Sequence, residues 1–181
     1  MSQGLEQLWA GWRHRYVTEA TDEERNKAGG PGDGCVFCRI AASGPASVDN
    51  GVVWRGETCF CVLNAYPYAN GHLLVLPLRH AERLDELSAA ESSELWTTTT
   101  DAVAALDAAY RPDGLNVGAN LGRAAGAGIP QHLHLHVLPR WSGDTNFMTT
   151  VAGVRVMPQT LDDSWAQLQP AWPVHGASGS R

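Results

Sequence analysis

The sequence predicts an α+β domain built on a largely antiparallel sheet of about five strands, with helices on one face. Short apolar runs typical of strands occur in the order strand, strand, strand, long helix, strand, strand. One of these runs, residues 131–140, alternates histidine with apolar side chains, which is the period of a strand. The length of 181 residues suits one such domain with an extension at each end.

Composition argues against two classes of partner. The net charge is −6 at pH 7, so a general nucleic-acid-binding surface is not expected. The longest apolar runs fall well short of the roughly 20 residues that span a bilayer. Residues 1–6 lack the basic flank and apolar stretch of a signal peptide. We therefore expect a cytoplasmic protein that makes no contact with nucleic acid or membrane.

Residues 1–34 are predicted to form an amphipathic helix and a linker that precede the domain. Apolar side chains recur there at three- and four-residue steps, at Leu5, Leu8, Trp9, Trp12 and Tyr16. Residues 21–34 are polar and glycine-rich, which is typical of a linker. The domain itself is then expected over residues 35–158.

The first half of the domain is predicted to hold three strands. Residues 35–40 form a turn or short helix, residues 52–55 and 58–63 a hairpin around Gly56-Glu57, and residues 72–77 a central strand. Cys59 and Cys61 lie on the second strand, and we interpret them as small hydrophobic residues.

A long helix follows, because Ser88-Ala89-Ala90-Glu91 has the pattern of a capping box. Residues 95, 96, 103, 106 and 110 continue it at helical spacing, and Pro112 ends it. Residues 115–120 are expected to form another strand, and residues 149–157 a further one. Residues 159–181 are predicted to be an extension with a short helix at 164–168 and a frayed tail from Pro170.

The histidine row carries the strongest chemical signal. On a strand, His132, His134 and His136 would share one face, with apolar neighbours on the other. Neutral imidazole is a nucleophile near neutral pH. Residues two apart on a strand are separated by ~7 Å, so one attacker, His134, flanked by two orienting donors is the arrangement we expect. Three structurally satisfied imidazoles, or a metal site made of the row, are the alternatives.

A glycine- and alanine-rich loop, residues 120–128, leads into the histidine row. Its backbone amides are unobstructed by large side chains, which is typical of loops that bind phosphate. Many such loops are only turns, but the neighbouring histidines favour a phosphate-binding role.

A metal site is predicted from Cys35-x-x-Cys38, which is the spacing of half a tetrahedral zinc site. His80, just after an apolar strand, and His132 are the candidates for the other half. Two ordinary thiols are the alternative. No βαβ pattern surrounds the motif, so a thioredoxin-like role is not favoured.

Together these motifs resemble the histidine triad (HIT) superfamily of nucleotide hydrolases and transferases. The segments that match in order and spacing are residues 35–40, Leu63-Asn64, Pro67, residues 71–77, Arg79-His80 and residues 132–138. Three segments look like the diadenosine tetraphosphate phosphorylase branch: residues 64–68, 115–122 and 139–147.

The resemblance implies a HIT-like fold that pairs as a homodimer or higher oligomer, with a nucleotidyl-histidine intermediate on His134. It assigns His72, His132 and His136 to the support of that centre. Asn64 would contact the ribose, and the remaining nucleotide and phosphate groups would be bound by Asn120, Gly126, Gly128, Gln131 and Trp141. It implies a structural Zn²⁺ on Cys35, Cys38, His80 and His132. One departure lies near the end of the loop, where the phosphorylase branch tends to place a serine and this chain has Ala127-Gly128-Ile129-Pro130.

The function implied is cleavage of dinucleoside polyphosphates, with diadenosine tetraphosphate and inorganic phosphate giving ADP and ATP. A hydrolase of dinucleoside polyphosphates or nucleoside phosphoramidates is one alternative. A nucleotide-binding sensor with little turnover is the other.

Overall fold

The computed structural model describes residues 34–144 and 159–174. The predicted N-terminal helix, its linker and the predicted strand at 149–157 lie outside these described residues. Within the described part, none of the helices combines the length and apolarity that a bilayer crossing requires.

The core of the fold is a five-stranded sheet in which every neighbouring pair is antiparallel. The strands are β1 (Val52–Arg55), β2 (Cys59–Leu63), β3 (Leu73–Pro77), β4 (Gly114–Ala119) and β5 (Leu135–Arg140), in the order β1-β2-β3-β5-β4. The predicted α+β fold, with three strands before the long helix and two after it, is confirmed.

Two helices cover one face of this sheet. They are α2 (Ala89–Tyr110) and α3 (Leu161–Leu168). Leu95 and Leu106 of α2 and Leu168 of α3 pack with the alternate side chains of the strands, including Cys59 and Cys61. All five are fully buried, so the interpretation of Cys59 and Cys61 as core residues is confirmed.

A short helix, α1 (Val36–Ala42), covers part of the opposite face. Its residues Phe37 and Ala41 pack against Phe60, Leu74 and Leu76. Every side chain of β2 and β3 is buried, so both faces of these central strands need apolar cover. The prediction of helices on one face therefore holds for the two longer helices, and α1 lies on the other face.

The start of α2 confirms the predicted capping box. The Ser88 hydroxyl accepts a hydrogen bond from the Glu91 amide, and the Glu91 carboxylate accepts one from the Ser88 amide. The helix ends at Tyr110. The next residue, Arg111, still donates its amide to the Asp107 carbonyl and has a left-handed backbone that turns the chain away. Trp96, expected on the apolar face from its spacing, is 52% exposed and lies outside the core.

Glu91 also pairs with Arg79, at 2.8 Å between Arg79 Nε and Glu91 Oε1. Hydrogen bonds from Arg79 and from the Ser88 amide hold the pKa of Glu91 at about 2, below its ordinary 4.5. The folded state thus favours the charged carboxylate. Its stabilising effect is complete above pH 4.5 and is lost as the pH falls toward 2.

Replacing Glu91 with alanine should lower the free energy of unfolding at neutral pH by about 1–2 kcal/mol, as the loss of a helix cap does. The difference from wild type should shrink as the pH falls from 4.5 to 2, which denaturant titrations at several pH values measure. Glu91→Gln is the matched control, because glutamine still caps the helix but carries no charge. A deficit of Glu91→Ala that is constant across this range would contradict the assignment.

The C-terminal segment packs against the domain as far as Trp172, which is further than the sequence predicts. A 3-10 turn, Gln169–Ala171, follows α3, and the Trp172 ring stacks on Trp54 at 5.7 Å. Trp165 Nε1 donates to the Val52 carbonyl at 2.9 Å. The prediction of a frayed tail from Pro170 is therefore wrong as far as Trp172, because two indole rings find apolar partners on the domain.

Candidate active site and metal centre

The histidine row lies at the start of β5, on the face that α1 covers. Only His136 belongs to the regular strand, which begins at Leu135. The alternation nevertheless continues upstream, because Leu133 and Leu135 lie in the core beneath α2. The His132 and His134 rings lie on the other face against Phe37, with ring centroids 5.6 and 5.2 Å from it.

His134 has one ring nitrogen engaged and the other available for chemistry. Its Nδ1 lies 2.8 Å from the backbone carbonyl oxygen of His132. A carbonyl oxygen only accepts, so the hydrogen of the neutral ring is on Nδ1 and Nε2 carries the lone pair. Burial lowers the pKa of His134, which keeps the ring neutral near pH 7. The arrangement is suited to a nucleophile.

His136 and His72 form a hydrogen-bonded pair beside this nucleophile. His72 Nε2 lies 2.9 Å from His136 Nδ1, and the His134 and His136 ring centroids are 5.0 Å apart. Burial, with a smaller contribution from His134, lowers the pKa of His136 to about 4. His72 is fully buried.

The four predicted metal ligands come together. The ligand atoms of Cys35, Cys38, His80 and His132 all lie within 4.8 Å of one another. His80 Nδ1 lies 3.2 Å from Cys38 Sγ, and His132 Nδ1 lies 3.4 Å from Cys35 Sγ. Two thiols and two imidazoles at such separations match a closed tetrahedral site. This is a candidate metal-binding cluster that joins α1, the end of β3 and the histidine row.

The orientation of His132 agrees with a metal ligand. Its Nε2 donates to the Pro77 carbonyl at 3.0 Å, which leaves the Nδ1 lone pair facing the two thiols. Burial lowers the pKa of His132 to about 4 and raises that of Cys35. The His132 ring is therefore not a donor beside His134, contrary to the expectation from strand alternation. Its backbone carbonyl orients His134 instead.

The glycine-rich loop uses several of its amides internally. The amides of Ala125, Gly126 and Ala127 bond back to the carbonyls of Gly122 and Arg123 around a short 3-10 turn, Arg123–Ala125. The amides of residues 125–127, including that of Gly126, are therefore engaged within the loop and are not offered to a phosphate. Gly128 and Gln131 are half-buried just before the histidine row.

Asn120 and Asn64 lie near the histidines, whereas Trp141 does not. Ala119 pairs with Leu135, so Asn120 follows at the level of His134. Asn64 Nδ2 lies 3.3 Å from His72 Nδ1. Trp141 comes five residues after His136, ~17 Å away along an extended strand, where it contacts Tyr110. The structure thus does not bring Trp141 to the histidines of its own chain.

Two residues of the site are absent from the sequence-based prediction. Phe37 lies between the two cysteines and contacts both His132 and His134. Tyr68 covers the His72–His136 pair, with its ring centroid 4.7 Å from that of His72. The sequence offered one signal for each: Phe37 is an aromatic residue inside Cys-x-x-Cys, and Tyr68 is an aromatic residue four positions before His72.

A model of the HIT domain matches residues 46–143, more than half of the chain. The chain belongs to the HIT domain family. A Mycobacterium tuberculosis protein named AP-4-A phosphorylase is 41% identical over 170 residues, which cover 93% of this chain and 85% of that protein. The predicted superfamily and its phosphorylase-like branch are both confirmed.

Other members are more distant. A bifunctional bis(5'-adenosyl)-triphosphatase/adenylylsulfatase of Arabidopsis thaliana is 32% identical, over 59% of this chain and 59% of that one. Among solved structures, a Zn-bound histidine triad family protein from Mycobacterium smegmatis superposes with a TM-score of 0.61 at 27% identity. The superposition covers 76% of this chain and 91% of that one.

Proposed function

We propose that this protein cleaves dinucleoside polyphosphates through a nucleotidyl-histidine intermediate on His134. The observation that carries the proposal is the hydrogen bond from His134 Nδ1 to the His132 carbonyl, which directs the lone pair to Nε2. The 41% identity to a protein named AP-4-A phosphorylase supports diadenosine tetraphosphate as the substrate.

The reaction proceeds in two displacements. His134 Nε2 attacks the α-phosphorus, the bond from that phosphorus to its bridging oxygen breaks, and ATP leaves with the electron pair. Inorganic phosphate then attacks the same phosphorus, the phosphorus–nitrogen bond breaks, and ADP leaves as Nε2 regains its lone pair. His136, beside the attacker, stabilises the charge that develops on the phosphoryl oxygens.

Zinc is the metal that best fits the Cys/His cluster. Thiolates and imidazoles in a closed set of four favour Zn²⁺ over oxygen-preferring cations. A bound Zn²⁺ would supply folding stability, since four protein ligands leave no position for a substrate. The resemblance to a Zn-bound family member supports the same assignment.

A second copy of the chain is proposed to pair along β4. This strand is an edge of the sheet, and Val117 on it is 45% exposed, with Leu121 just beyond it 48% exposed. An edge strand with exposed apolar side chains is a natural surface for a symmetric dimer. Sedimentation equilibrium measures the mass directly.

The proposed reaction is tested by product analysis of diadenosine tetraphosphate with and without inorganic phosphate. ADP plus ATP, formed only with phosphate, is the expected result. Formation of AMP plus ATP at a rate that does not depend on phosphate would show that the protein is a hydrolase and not a phosphorylase. Absence of products from this substrate, with turnover of a nucleoside phosphoramidate or with nucleotide binding alone, would overturn the proposed substrate class.

Gly128 offers a direct test of the phosphate acceptor. A Cβ built on Gly128 meets no atom within 4 Å, so serine fits without displacing a neighbour. We expect Gly128→Ser to lower the KM for phosphate about 2- to 10-fold, the effect of one added hydrogen bond of about 0.5–1.5 kcal/mol. Gly128→Ala is the matched control, since it adds the same Cβ without a hydroxyl. Equal KM values for the two variants would exclude a contact between this position and phosphate.

A further inference from the structure

We propose that the loop formed by residues 64–68 is a positioning device that fixes the tautomer of the His72–His136 pair. Asn64 and the Tyr68 amide act on His72, and the Tyr68 ring holds both imidazoles. The loop thereby makes His136 a hydrogen-bond donor next to the nucleophile. The catalytic consequence rests on the proposed function, whereas the tautomers are a property of the free protein.

Two donors converge on a single atom of His72. The Tyr68 amide nitrogen lies 3.0 Å from His72 Nδ1, and Asn64 Nδ2 lies 3.3 Å from the same atom. The orientation of the Asn64 amide follows from its other end, because Asn64 Oδ1 accepts from the Tyr66 amide at 3.0 Å. A backbone amide only donates, so His72 Nδ1 must carry a lone pair.

This assignment propagates to His136. Neutral His72 then has its hydrogen on Nε2, and that atom faces His136 Nδ1 at 2.9 Å. His136 Nδ1 accepts, so the hydrogen of neutral His136 is on Nε2. His134 has the opposite tautomer, with its hydrogen on Nδ1. The two ring centroids are 5.0 Å apart. His134 therefore presents a lone pair on Nε2, which suits the attacker, and His136 presents an N–H on Nε2, which suits a donor to a phosphoryl oxygen.

The Tyr68 ring restrains the same pair sterically. It stacks on the His136 ring with centroids 5.8 Å apart and planes inclined by 20°. Its centroid lies 4.7 Å from that of His72. One residue thus donates to His72 through its backbone and covers both imidazoles with its side chain. The role of Asn64 is accordingly to orient His72, beyond the ribose contact that the family resemblance implies.

A comparison of substrates separates positioning from ribose binding. Asn64→Ala removes one of the two donors to His72 Nδ1, so a larger share of the pair should have the wrong tautomer. We expect kcat to fall ~10-fold with little change in KM. This loss in kcat should persist with the 2′,3′-dideoxy analogue of diadenosine tetraphosphate, which lacks the ribose hydroxyls. A loss confined to the substrate with ribose hydroxyls, or a change in KM alone, would overturn the positioning role.

The tautomers themselves are read from imidazole nitrogen and proton correlations in ¹⁵N-labelled enzyme without substrate. We expect hydrogen on Nε2 of His72 and His136, and on Nδ1 of His134. Asn64→Asp keeps the acceptor for Tyr66 and places a carboxylate oxygen where the Nδ2 donor was, in competition with the Tyr68 amide for His72 Nδ1. The share of His72 with hydrogen on Nδ1 should therefore rise. Asn116→Asp is the matched control: it makes the same chemical change where Asn116 bonds Arg140, and all three tautomers should persist.

Hydrogen on His72 Nδ1 in the wild type would refute the inference. Unchanged His72 and His136 tautomers in Asn64→Asp would overturn the part assigned to Asn64. This readout needs no turnover. An enzyme that fails to cleave dinucleoside polyphosphates would therefore refute the proposed function and still give a result for the loop.

Discussion

A His134→Ala variant is expected to lose cleavage of diadenosine tetraphosphate by a factor on the order of 10³ or more, as removal of a nucleophile does in other covalent enzymes. The physical reason is that the variant has no lone pair at the position of Nε2. The neighbouring His136 does not replace it, because its ring belongs to the His72 hydrogen bond. Steady-state rates with phosphate present measure the loss.

The covalent step has its own signature. Wild-type protein mixed with radiolabelled substrate, in the absence of phosphate, should retain label through denaturation. The bond should be acid-labile and stable to alkali, as expected for a phosphorus–nitrogen bond. His136→Gln is the matched control, since it removes the proposed donor and keeps the nucleophile, and it should still take up label slowly. Substantial turnover by His134→Ala would contradict the proposed mechanism.

His134 is buried, so a fold check accompanies these rates. If wild type and His134→Ala have nearly equal melting temperatures, the loss of rate is due to the missing nucleophile and not to unfolding. A collapse of the melting temperature would leave the labelling experiment with His136→Gln as the deciding measurement.

Replacing Cys38 with serine is expected to release the metal and lower the melting temperature by ~10 °C or more. Loss of a metal site is among the changes that cost more than about 4 kcal/mol, and 1 kcal/mol corresponds to ~2–4 °C in a chain of this length. The site links α1 to His80 and His132, which are distant in sequence, so its loss frees elements that the ligands hold together.

Metal content and calorimetry measure this prediction together. We expect about one zinc per chain in the wild type and less in Cys38→Ser. Cys61→Ala is the matched control, because Cys61 is a fully buried thiol in the core beneath α2 and outside the cluster. It should lose packing energy and keep the metal. Metal-free wild-type protein with an unchanged melting temperature would contradict a structural role for the site.

Loss of the metal should also disturb the position of His134. The His132 carbonyl orients His134, and Phe37, between two ligands, packs against the His134 ring. Both contacts depend on elements that carry ligands.

The sequence by itself determined the elements whose signal is local. Alternation placed the histidines on one face, the Ser88–Glu91 box began α2, and Pro112 followed its end. The ligand set Cys35, Cys38, His80 and His132 was predicted from motif spacing and family resemblance together. The alternation and the capping box depend on residues a few positions apart, so a one-dimensional pattern contains them. The ligand set joins residues up to 97 positions apart, so the family resemblance was needed as well.

Only the tertiary structure decided which side chains meet across long separations. His72 contacts His136 from 64 positions away, and Trp165 bonds Val52 from 113. The side of the sheet that α1 covers, the packing of Trp172, the distance of Trp141 from the histidines and the tautomers of the ring pair all depend on such contacts. No periodicity encodes them, because they arise when several apolar surfaces are buried at once and each buried polar atom must find a partner.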